Sequence, residues 1–331
     1  MSGIHLVTGG AGFIGSHLVE ALSAQRRTVR VLDNFSTGLR SNLSAIRPAP
    51  EVIEADLTDA AAIEHAMVGV EVVYHLGALA SVQRSIEHPA ATHAACVTGT
   101  LHVLDAARRA GVRRVVYAAS SSAYGGLSHL EGQCEEALPQ PLSPYAAAKL
   151  AGEFYVQAFA AAYGLETVRL RFFNVFGPRQ RADSPYSGVI ALFIAAMIEG
   201  RAPTIHGDGL QSRDFTYVDN VVHALLKAAD APGVSGQVFN IGTGRSITVL
   251  DLVACLNRLL NQTIIPQHTP SRSGDVRYSL ANIERARRFL GYEPSFSFEE
   301  GLERTLRWYR QSRVGKFHTF TTNLFQPTHA E

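Results

Sequence analysis

A tyrosine and a lysine four residues apart are the first candidates for chemistry in this sequence. Tyr145 and Lys149 are separated by three alanines, and residues at i and i+4 of an α-helix lie on the same face. An ammonium beside a phenol favours the phenolate, so the spacing predicts that Lys149 lowers the pKa of Tyr145 from its ordinary value of about 10. Tyr145 is then a candidate general base near neutral pH.

Three consecutive hydroxyls precede this pair along the chain. The strand-like residues 115–119 are followed by Ser120, Ser121 and Ser122. Side chains at the carboxyl end of a parallel strand face the crevice in which such sheets bind ligands. One of these hydroxyls is therefore predicted to bind a substrate hydroxyl or ketone beside Tyr145.

A glycine-rich segment predicts a site for a nucleotide phosphate. Gly9, Gly12 and Gly15 join a strand-like run to a helix-like run. Gly9 permits a tight turn, Gly12 lets the backbone approach a pyrophosphate, and Gly15 lets the helix pack on the strand. The phosphates then meet the unpaired N–H groups at the helix N-terminus. The glycine spacing alone also suits an ordinary turn, but the flanking strand and helix favour a dinucleotide site.

An acid at the expected distance indicates which dinucleotide binds. Asp33 ends the second predicted strand, 18 residues after Gly15. A carboxylate there binds the adenosine ribose hydroxyls and repels a 2′-phosphate, so the sequence predicts NAD rather than NADP. The nearest base able to relieve that repulsion, Arg40, lies beyond Gly38. Asp56, after the third predicted strand, is a candidate for the adenine amino group or a solvated turn acid.

Several segments together resemble one enzyme family. They are the glycine loop, the serine triplet before Tyr124 and Gly125, the Tyr145–Lys149 pair, and residues 171–178, 207–209 and 213–215. From Ile4 to about Leu306 the chain resembles the extended short-chain dehydrogenase/reductases. More narrowly, it resembles the UDP-hexose 4-epimerases that act on UDP-glucose and UDP-N-acetylglucosamine. The resemblance implies a Rossmann-type fold, NAD as the cofactor and a small-molecule UDP-sugar as the substrate.

The resemblance also implies roles for individual residues. The catalytic positions are Ser120, Ser121, Tyr145 and Lys149. The cofactor positions are Gly9, Gly12, Phe13, Ile14, Gly15, Asp33, Asn34, Ser36, Thr37, Gly38, Asp56, Leu57, Leu76, Gly77, Ala78, Ala80, Tyr145, Lys149 and Phe172. The substrate positions are Ser81, Val82, Ser121, Ser122, Tyr145, Asn174, Val189, Thr204, His206, Arg213, Val249, Arg272, Asp275 and Ser279.

Within the substrate set, the resemblance assigns four residues to the nucleotide. Asn174, Arg213 and Arg272 match residues that bind the diphosphate, and Asp275 matches an acid that binds the uridine ribose. Planar guanidinium groups suit this role because they bind phosphate oxygens in pairs. The alternative for each arginine is a surface salt bridge. Ser279 occupies the position beside the sugar C2 substituent, where a bulky Tyr excludes N-acetylated sugars, so the resemblance implies room for an acetamido group.

Two positions depart from the pattern of the family. Cys96 replaces the usual Asn of an Asn-Val-x-Gly-Thr run, and Gly77 stands where Ala is more frequent. A thiol is only a weak donor, so Cys96 cannot replace both hydrogen bonds of an amide. We expect this substitution to affect the local geometry more than the use of the cofactor.

The resemblance also bears on the reaction. Nucleotide-sugar 4,6-dehydratases carry an Asp-Glu pair directly after the catalytic hydroxyl, and UDP-glucuronate decarboxylases carry a Glu in that stretch. Here Ser121, Ser122 and Ala123 follow Ser120. The implied reaction is 4-epimerisation of a UDP-hexose through a transient 4-keto sugar. Two alternatives stay open: another NAD-dependent nucleotide-sugar enzyme, such as a UDP-glucuronate 4-epimerase or a dehydrogenase, and a non-catalytic NAD-sensing protein.

These motifs lie on alternating short β-branched runs and Ala-rich stretches, a pattern that predicts a parallel sheet with helical crossovers. The predicted strands are residues 4–8, 28–33, 51–55, 70–76, 114–119, 167–172 and 237–241. The predicted helices are 12–24, 60–67, 91–110, 145–163, 189–199, 248–261, 283–290 and 298–311. The predicted fold class is α/β, a Rossmann-type doubly wound parallel sheet with a smaller, interleaved C-terminal substrate-binding lobe. Residues 1–177 and about 213–245 form the predicted NAD-binding domain, and 178–212 and 246–331 the nucleotide-sugar-binding lobe.

Composition excludes several other classes of protein. Hydrophobic residues make up 46% and charged residues 18% of the 331 residues, which is typical of a globular enzyme. Lys and Arg (30) nearly balance Asp and Glu (29), so no nucleic-acid partner is expected. The longest apolar run, Val189–Ile198, is too short to span a bilayer, so no membrane association is expected. No secretory signal is visible at the N-terminus.

Cysteine usage and the helices indicate the compartment and the assembly. The three cysteines are far apart and in no metal-ligand spacing, which favours a cytoplasmic protein with no metal site. The resemblance implies a homodimer in which residues 91–110 and 145–163 of each subunit form a four-helix bundle. The alternative is that these helices pack only on their own sheet.

Overall fold

The protein is described here by a computed structural model. It covers residues 3–126, 132–183, 187–271 and 276–321, with side chains as far as residue 312. Arg272 and Asp275, two of the predicted substrate residues, lie outside the described residues.

The strands and helices follow one another along the chain with β1 at the N-terminus and α11 at the C-terminus. The strands are β1 (Ile4–Thr8), β2 (Val29–Asp33), β3 (Glu51–Glu54), β4 (Val70–His75), β5 (Arg114–Ser120), β6 (Glu166–Phe172), β7 (Val175–Phe176), β8 (Thr204–His206), β9 (Ser212–Arg213), β10 (Thr216–Tyr217), β11 (Gln237–Ile241), β12 (Ile247–Thr248), β13 (Gln267–Thr269) and β14 (Tyr278–Ser279). The α-helices are α1 (Phe13–Ala24), α2 (Ala60–Ala66), α3 (Val82–Glu87), α4 (Pro89–His93), α5 (Gly99–Arg109), α6 (Pro144–Tyr163), α7 (Val189–Ile198), α8 (Val218–Asp230), α9 (Val249–Leu260), α10 (Glu284–Leu290) and α11 (Phe298–Thr321). Two 3₁₀ turns, Arg40–Asn42 and Ser121–Tyr124, and a π-helix, Ala94–Thr98, complete the set.

A seven-stranded parallel sheet lies at the centre of the molecule. Its order is β3-β2-β1-β4-β5-β6-β11, and all its neighbouring strands are parallel. The direction of winding reverses between β1 and β4, so a crevice opens beyond their carboxyl ends. The strands are rich in Val and largely buried, as expected where helices cover both faces. The predicted fold class is confirmed.

Two hydrophobic cores border the sheet and a third lies beside it. On one face, α1, α8 and α10 pack against the strands through residues such as Leu18, Leu225 and Leu290. On the other face, α2, α5 and α6 cover the sheet. The third core joins α7, α9 and α11 and forms the smaller lobe. Helix α10, predicted as part of that lobe, therefore contributes its buried side to the core of the sheet.

Each predicted strand is present with its ends within one residue of the prediction, but several helical regions differ, among them α3, which was not predicted. The predicted helix 91–110 is divided into α4, the π-helix Ala94–Thr98 and α5. A π-turn inserts an extra residue into the helix, and such turns are frequent at functional sites. Helix α8 was not predicted, although its buried positions recur with helical spacing. Helix α11 runs ten residues beyond its predicted end.

The smaller lobe contains short strands that bear on the substrate positions. Strand β9 lies between β12 and β14 in a three-stranded sheet, and β8 pairs with β13. Within the described ranges, none of the helices combines the length and apolarity needed to cross a membrane.

Candidate functional site

A cleft of about 320 Å³ opens at the carboxyl ends of the central strands. The predicted cofactor residues that line it are Gly9, Gly12, Phe13, Ile14, Gly15, Asp33, Asn34, Ser36, Thr37, Asp56, Leu57, Leu76, Gly77, Ala78, Ala80, Tyr145, Lys149 and Phe172. Gly38 lies behind this wall, where a Cβ atom would be 2.9 Å from the carbonyl carbon of Ala11. The structure therefore brings 18 of the 19 predicted cofactor positions onto one surface.

The glycine loop places the N-terminus of α1 at the cleft. Gly9 has a φ of +68°, and a Cβ atom on Gly15 would lie 2.1 Å from the Gly9 carbonyl oxygen. Only glycine at position 15 therefore allows α1 to pack this closely on the loop. Gly12 caps the helix without a side-chain hydrogen bond, so a bound anion can accept from the first N–H groups of α1.

Asp33 contacts the glycine loop through its side chain. Its carboxylate accepts hydrogen bonds from the N–H groups of Ala11 (2.9 Å) and Phe35 (2.8 Å). Arg40 stacks on Phe35, 4.0 Å from the ring centroid, and pairs with Glu54. Arg40, the base that could relieve the repulsion of a 2′-phosphate, is thus already paired, which leaves an acidic surface suited to ribose hydroxyls and unsuited to a 2′-phosphate.

Asp56 lies on the same wall and is held by its neighbours. It accepts from both the N–H (2.9 Å) and the hydroxyl (2.7 Å) of Thr58 and from the amide of Asn34 (2.5 Å). These hydrogen bonds lower the pKa of Asp56. The donor-lined loop, the ribose acid and this acid together fit NAD.

Helix α6 carries Tyr145 into the cleft. The helix begins with Pro144 at its first position, and the Ser143 hydroxyl caps it by accepting from the N–H of Ala146 (3.1 Å). The phenol of Tyr145 forms a hydrogen bond with Ser120, whose oxygen also accepts from the Ser122 hydroxyl (2.8 Å). The hydroxyl that the structure brings to Tyr145 is therefore that of Ser120, with Ser122 behind it.

The predicted lowering of the pKa of Tyr145 is wrong for the protein in this structure, because the net shift is upward. Burial raises the pKa of Tyr145, with a smaller contribution from Cys96 in the same direction, and the Ser120 hydrogen bond lowers it. Lys149 is 3% exposed, and its ammonium donates to the carbonyl oxygen of Ala118 (2.9 Å). Burial lowers the pKa of Lys149 itself. The spacing of the two residues on a helix could not show that the Lys149 ammonium would donate to a carbonyl of β5.

A buried hydrogen-bond network lies beneath these residues. His75 contacts the hydroxyls of Thr8 (2.8 Å) and Thr100 (3.0 Å) through its two ring nitrogens. Burial, with a smaller contribution from the Lys149 ammonium, lowers the pKa of His75 to about 3. The Thr100 hydroxyl donates to the carbonyl oxygen of Cys96 (2.7 Å). A neutral imidazole thus links β1 to the π-helix below the catalytic helix.

The two departures from the family pattern have local explanations. Cys96 is buried in the π-helix and packs with Ala148 of α6, so a small side chain fills this position between the helices. A Cβ atom on Gly77 would lie 2.8 Å from the Cδ1 atom of Leu57. Glycine at position 77 therefore leaves room for the Leu57 side chain in its present rotamer.

The smaller lobe brings three of the predicted substrate residues together. Arg213 on β9 is in register with Ser279 on β14, and Val249 follows β12 on the other side of β9. The Arg213 guanidinium donates to the carbonyl oxygen of Ser212 (2.9 Å). Ser279 is buried.

The remaining predicted substrate residues are dispersed around the cleft. Asn174 is exposed and adjoins β10 through the hydrogen bond from the Thr216 N–H to its carbonyl (3.0 Å). The Ser81 hydroxyl caps α3 by accepting from the Arg84 N–H (3.1 Å). Others lie on α3, α7 and β8, namely Val82, Val189, Thr204 and His206. Of the described substrate residues, only Tyr145 lines the cleft itself.

Sequence reasoning missed two basic residues on the wall of the cleft. Arg179 and Arg181 both line it, and they follow the Gly177-Pro178 turn that leads into the smaller lobe. Arg181 is paired with Asp183 through two hydrogen bonds (2.9 and 2.8 Å). The signal available in the sequence was a basic pair at the point where the chain leaves the sheet.

Comparison with known proteins extends these observations. Residues 5–242 match the family described as NAD dependent epimerase/dehydratase. A UDP-glucose 4-epimerase of Mycolicibacterium smegmatis is 38% identical over 92% of this chain and 98% of its own length. UDP-glucuronate 4-epimerase 3 of Arabidopsis thaliana is 35% identical over 92% of this chain and 76% of its own length. The structure of a UDP-N-acetylglucosamine 4-epimerase from Methanobrevibacter ruminantium M1, in complex with UDP-N-acetylmuramic acid, has a TM-score of 0.90 at 36% identity and covers 94% of this chain and 99% of that one.

These matches agree with the geometry of the cleft. The glycine loop, Asp33, Ser120 and Tyr145 all lie within the matched region. The predicted cofactor, NAD, is confirmed. Relatives with three different UDP-sugars in their names each match at least 92% of this chain. The chain therefore belongs to the NAD dependent epimerase/dehydratase family, and within it to the NAD-dependent UDP-sugar 4-epimerases.

Proposed function

We propose that the protein interconverts the C4 epimers of UDP-hexoses. The substrates are UDP-glucose and UDP-galactose, and also UDP-N-acetylglucosamine and UDP-N-acetylgalactosamine. The observation that carries the proposal is the Tyr145 phenol, hydrogen-bonded to Ser120 on the wall of the cleft that also contains the glycine loop.

In this proposal, the residues of the chain perform the proton chemistry. NAD, held by the glycine loop and Asp33, would supply the hydride acceptor for C4 of the sugar and the hydride donor for the 4-keto sugar. Tyr145 removes the proton of the C4 hydroxyl as a phenolate and returns a proton when the hydroxyl is restored. Ser120 orients the C4 oxygen, and Ser122 holds Ser120 by donating to its oxygen (2.8 Å).

The sugar has to turn between the two half-reactions while the nucleotide stays bound. We assign the nucleotide to Asn174, Arg213, Arg272 and Asp275. Firm contacts to the diphosphate and weak contacts to the hexose would hold the intermediate while leaving the ring free to turn. The position of Arg213 on a strand paired on both sides supports its role as a fixed anchor.

The residues after Ser120 support epimerisation over elimination of water. Ser121, Ser122 and Ala123 form a 3₁₀ turn that Ser120 caps. This turn carries no carboxyl group that could protonate a leaving hydroxyl at C6. Reversible oxidation at C4 needs a base and an orienting hydroxyl, which Tyr145 and Ser120 provide, and a hydride acceptor, which NAD would supply.

The proposal includes sugars with an acetamido group at C2, and a substitution of Ser279 tests whether the site accepts them. We place the sugar C2 substituent beside Ser279, which is buried and in register with Arg213, so that a larger side chain there would compete with an acetamido group for space. Ser279→Tyr should reduce kcat/KM for UDP-N-acetylglucosamine by about tenfold or more while sparing UDP-glucose. Equal losses on both substrates, or no activity of the unchanged protein on UDP-N-acetylglucosamine, would show that this position is not the gate.

The whole proposal is tested on the purified protein without added cofactor. Mass spectrometry should find retained NAD, and NMR should show redox-neutral interconversion of UDP-glucose and UDP-galactose. Stoichiometric release of NADH would instead make the protein a dehydrogenase. Conversion of UDP-glucuronate alone would make it a UDP-glucuronate 4-epimerase, the activity named for the Arabidopsis relative. Retained NAD with no conversion of any of these sugars would favour an NAD-sensing protein.

A further inference from the structure

The first turn of helix α6 is held in part by a side chain from another helix. The first N–H groups of an α-helix have no partners within the helix. The first residue of α6 is a proline, which has no N–H. Ser143 accepts from the N–H of Ala146 through its hydroxyl (3.1 Å) and from the N–H of Ala147 through its carbonyl (3.0 Å). The N–H of Tyr145 donates instead to the Ser85 hydroxyl of α3 (3.0 Å), so the backbone of the proposed base depends on a residue outside its own helix.

The Ser85 hydroxyl is oriented for this contact. Ser85 is 0% exposed, and its hydroxyl donates to the carbonyl oxygen of Val82 (2.6 Å), one turn earlier in α3. A hydroxyl has a single proton to donate and accepts through its lone pairs, so this bond leaves the oxygen available to the Tyr145 N–H. Bulk water does not reach Ser85. The Tyr145 N–H would therefore have no ready replacement for this partner, and an unpaired buried donor is costly.

Ser85 also connects the catalytic helix to the wall of the cofactor cleft. Leu79 and Ala80 line the cleft, and the next residue, Ser81, begins α3 as its cap. The carbonyl oxygen of Ser81 accepts from the N–H of Ser85 (3.1 Å). Through its N–H and its hydroxyl, Ser85 thus joins the end of this wall segment to Tyr145.

The start of α6 determines where the phenol of Tyr145 lies. The side chain of Tyr145 lines the cleft and forms a hydrogen bond with Ser120, which belongs to β5. The two groups come from different elements, so their separation depends on how the first turn of α6 is held. A displacement of about 1 Å near a reacting group can lower a rate by about 100-fold. The hydrogen bond to the Tyr145 backbone therefore bears on proton transfer.

We propose that Ser85 is a positioning residue for the base of the reaction. It holds the backbone of Tyr145 so that the phenol stays beside Ser120, and it acts through Tyr145 rather than on the sugar. This inference rests on the proposed function, because it gives Ser85 a part in proton transfer at the sugar C4.

Ser85→Ala tests the proposal in the protein with its retained NAD. Alanine is the best helix former, so α3 is preserved while the acceptor for the Tyr145 N–H is lost. We expect kcat for UDP-glucose to fall by about tenfold and KM to change by less than about twofold, because the group that loses its position reacts rather than binds. The acidic limb of the kcat/KM profile should move to higher pH, because a looser contact with Ser120 removes the hydrogen bond that lowers the pKa of Tyr145.

Thr92→Val is the matched control. Thr92 lies on the neighbouring helix α4, is 1% exposed, and donates its hydroxyl proton within its own helix, to the carbonyl oxygen of His88 (3.2 Å). Its replacement therefore removes a buried hydroxyl that resembles that of Ser85 but has no bond to the Tyr145 N–H. In Thr92→Val, kcat, KM and the acidic limb should stay as in the unchanged protein.

The hydrogen bond itself is tested without turnover. Labelling with ¹⁵N-tyrosine gives amide signals from the 11 tyrosines, and Tyr145→Phe identifies the signal of Tyr145. Hydrogen exchange of this amide should be about tenfold or more faster in Ser85→Ala and unchanged in Thr92→Val.

Three results would overturn the role of Ser85 in an active protein. They are a kcat of Ser85→Ala within about twofold of that of Thr92→Val, an acidic limb that does not move, and exchange of the Tyr145 amide as slow as in the unchanged protein. An unchanged protein that epimerises no UDP-sugar would overturn the proposed function, and this inference with it. The activity of the unchanged protein therefore distinguishes the two failures.

Discussion

Tyr145 lies in a setting that opposes the ionised form it needs as a base. Burial raises the pKa of its phenol, so most of the protein carries a protonated Tyr145 at neutral pH, and kcat/KM should rise with pH along its acidic limb. Lys149→Met removes a buried cation one helical turn away, which makes the phenolate harder to form. We therefore expect the acidic limb of the pH profile of kcat/KM to move to higher pH in this variant.

Tyr145→Phe is the control for that experiment. It removes the titrating phenol and should lower kcat by about a hundredfold or more, the scale of a lost general base, while NAD stays bound. The limb assigned to Tyr145 should be missing from its residual activity. An acidic limb that stays in place in Lys149→Met would mean that Lys149 does not stabilise the phenolate.

Asp33 should determine the choice between the two dinucleotides. Its carboxylate is held by the N–H groups of Ala11 and Phe35 and is 7% exposed, so it cannot swing away from a 2′-phosphate. Protein freed of cofactor should regain activity with NAD and little with NADP. Asp33→Asn should raise the affinity for NADP relative to NAD by about tenfold, measured by calorimetry. Equal reconstitution of the unchanged protein by both dinucleotides would remove this role from Asp33.

Residue types and spacing predicted which side chains meet at the cleft, but not how their surroundings shift their pKa values. Asp33 could be predicted because a strand end and a glycine loop fix its place within one βαβ unit. The pKa of Tyr145 could not, because it depends on burial and on the Ala118 carbonyl that takes the Lys149 ammonium. That carbonyl belongs to β5, so whether the Lys149 ammonium reaches it depends on how α6 packs on β5.

At the scale of elements, one carboxylate connects the three-stranded sheet of the smaller lobe to the central sheet through hydrogen bonds. Asp214 lies between β9 and β10 and is fully buried. It accepts from the N–H (2.8 Å) and hydroxyl (2.8 Å) of Thr243 and from the N–H groups of Gly244 (2.9 Å) and Ala281 (3.3 Å). Its own N–H donates to the carbonyl oxygen of Ser279 (2.7 Å). Asp214 therefore positions its neighbour Arg213 relative to the loop after β11.

Asp214→Asn should loosen this junction. An amide NH₂ would face backbone N–H groups, so at least one buried donor would lose its partner, at a cost of about 1–3 kcal/mol. We expect the Tm to fall by several degrees and the KM for UDP-sugars to rise by about tenfold, with NAD content unchanged. Asp208→Asn, which removes the charge of an exposed carboxylate that pairs with Arg277 and accepts from the Leu210 N–H, is the matched control. A lower Tm with unaltered KM would make Asp214 a structural residue only.

The elements that could be predicted are those whose pattern is local. The seven strands of the central sheet are short, rich in β-branched residues and bounded by turn residues, so their ends were predictable to within one residue. Helix α8 begins at Val218 directly after β10, and its early valines and asparagine are weak helix formers. The π-helix at Ala94–Thr98 has no sequence signature, because it arises from packing against α6 and from the hydrogen bond of Thr100 to Cys96.

At the scale of the whole molecule, α6 has two faces with different surroundings. One face carries Tyr145, Lys149 and Glu153 towards the sheet, where Lys149 and Glu153 are buried. The opposite face carries an apolar row at helical spacing, namely Ala147, Ala151, Phe154, Ala158 and Ala161. A helix at the surface of a monomer normally presents polar residues to water. An exposed apolar row of this kind is typical of a helix that packs against a partner.

We therefore predict that two copies of the chain associate through this outer face of α6, with α5 beside it. Phe154 is 57% exposed in the single chain, and its burial in the dimer would stabilise the association by about 1.5–3 kcal/mol. The unchanged protein should have about twice the chain mass of 35.8 kDa in light scattering coupled to size exclusion. Phe154→Asp should shift it to the mass of one chain, because a carboxylate would be buried without a partner. Ile265→Asp, at a position that is 82% exposed and distant from α6 along the chain, should leave the dimer intact. A single-chain mass for the unchanged protein, or a Phe154→Asp protein that remains dimeric, would place the interface elsewhere or remove it.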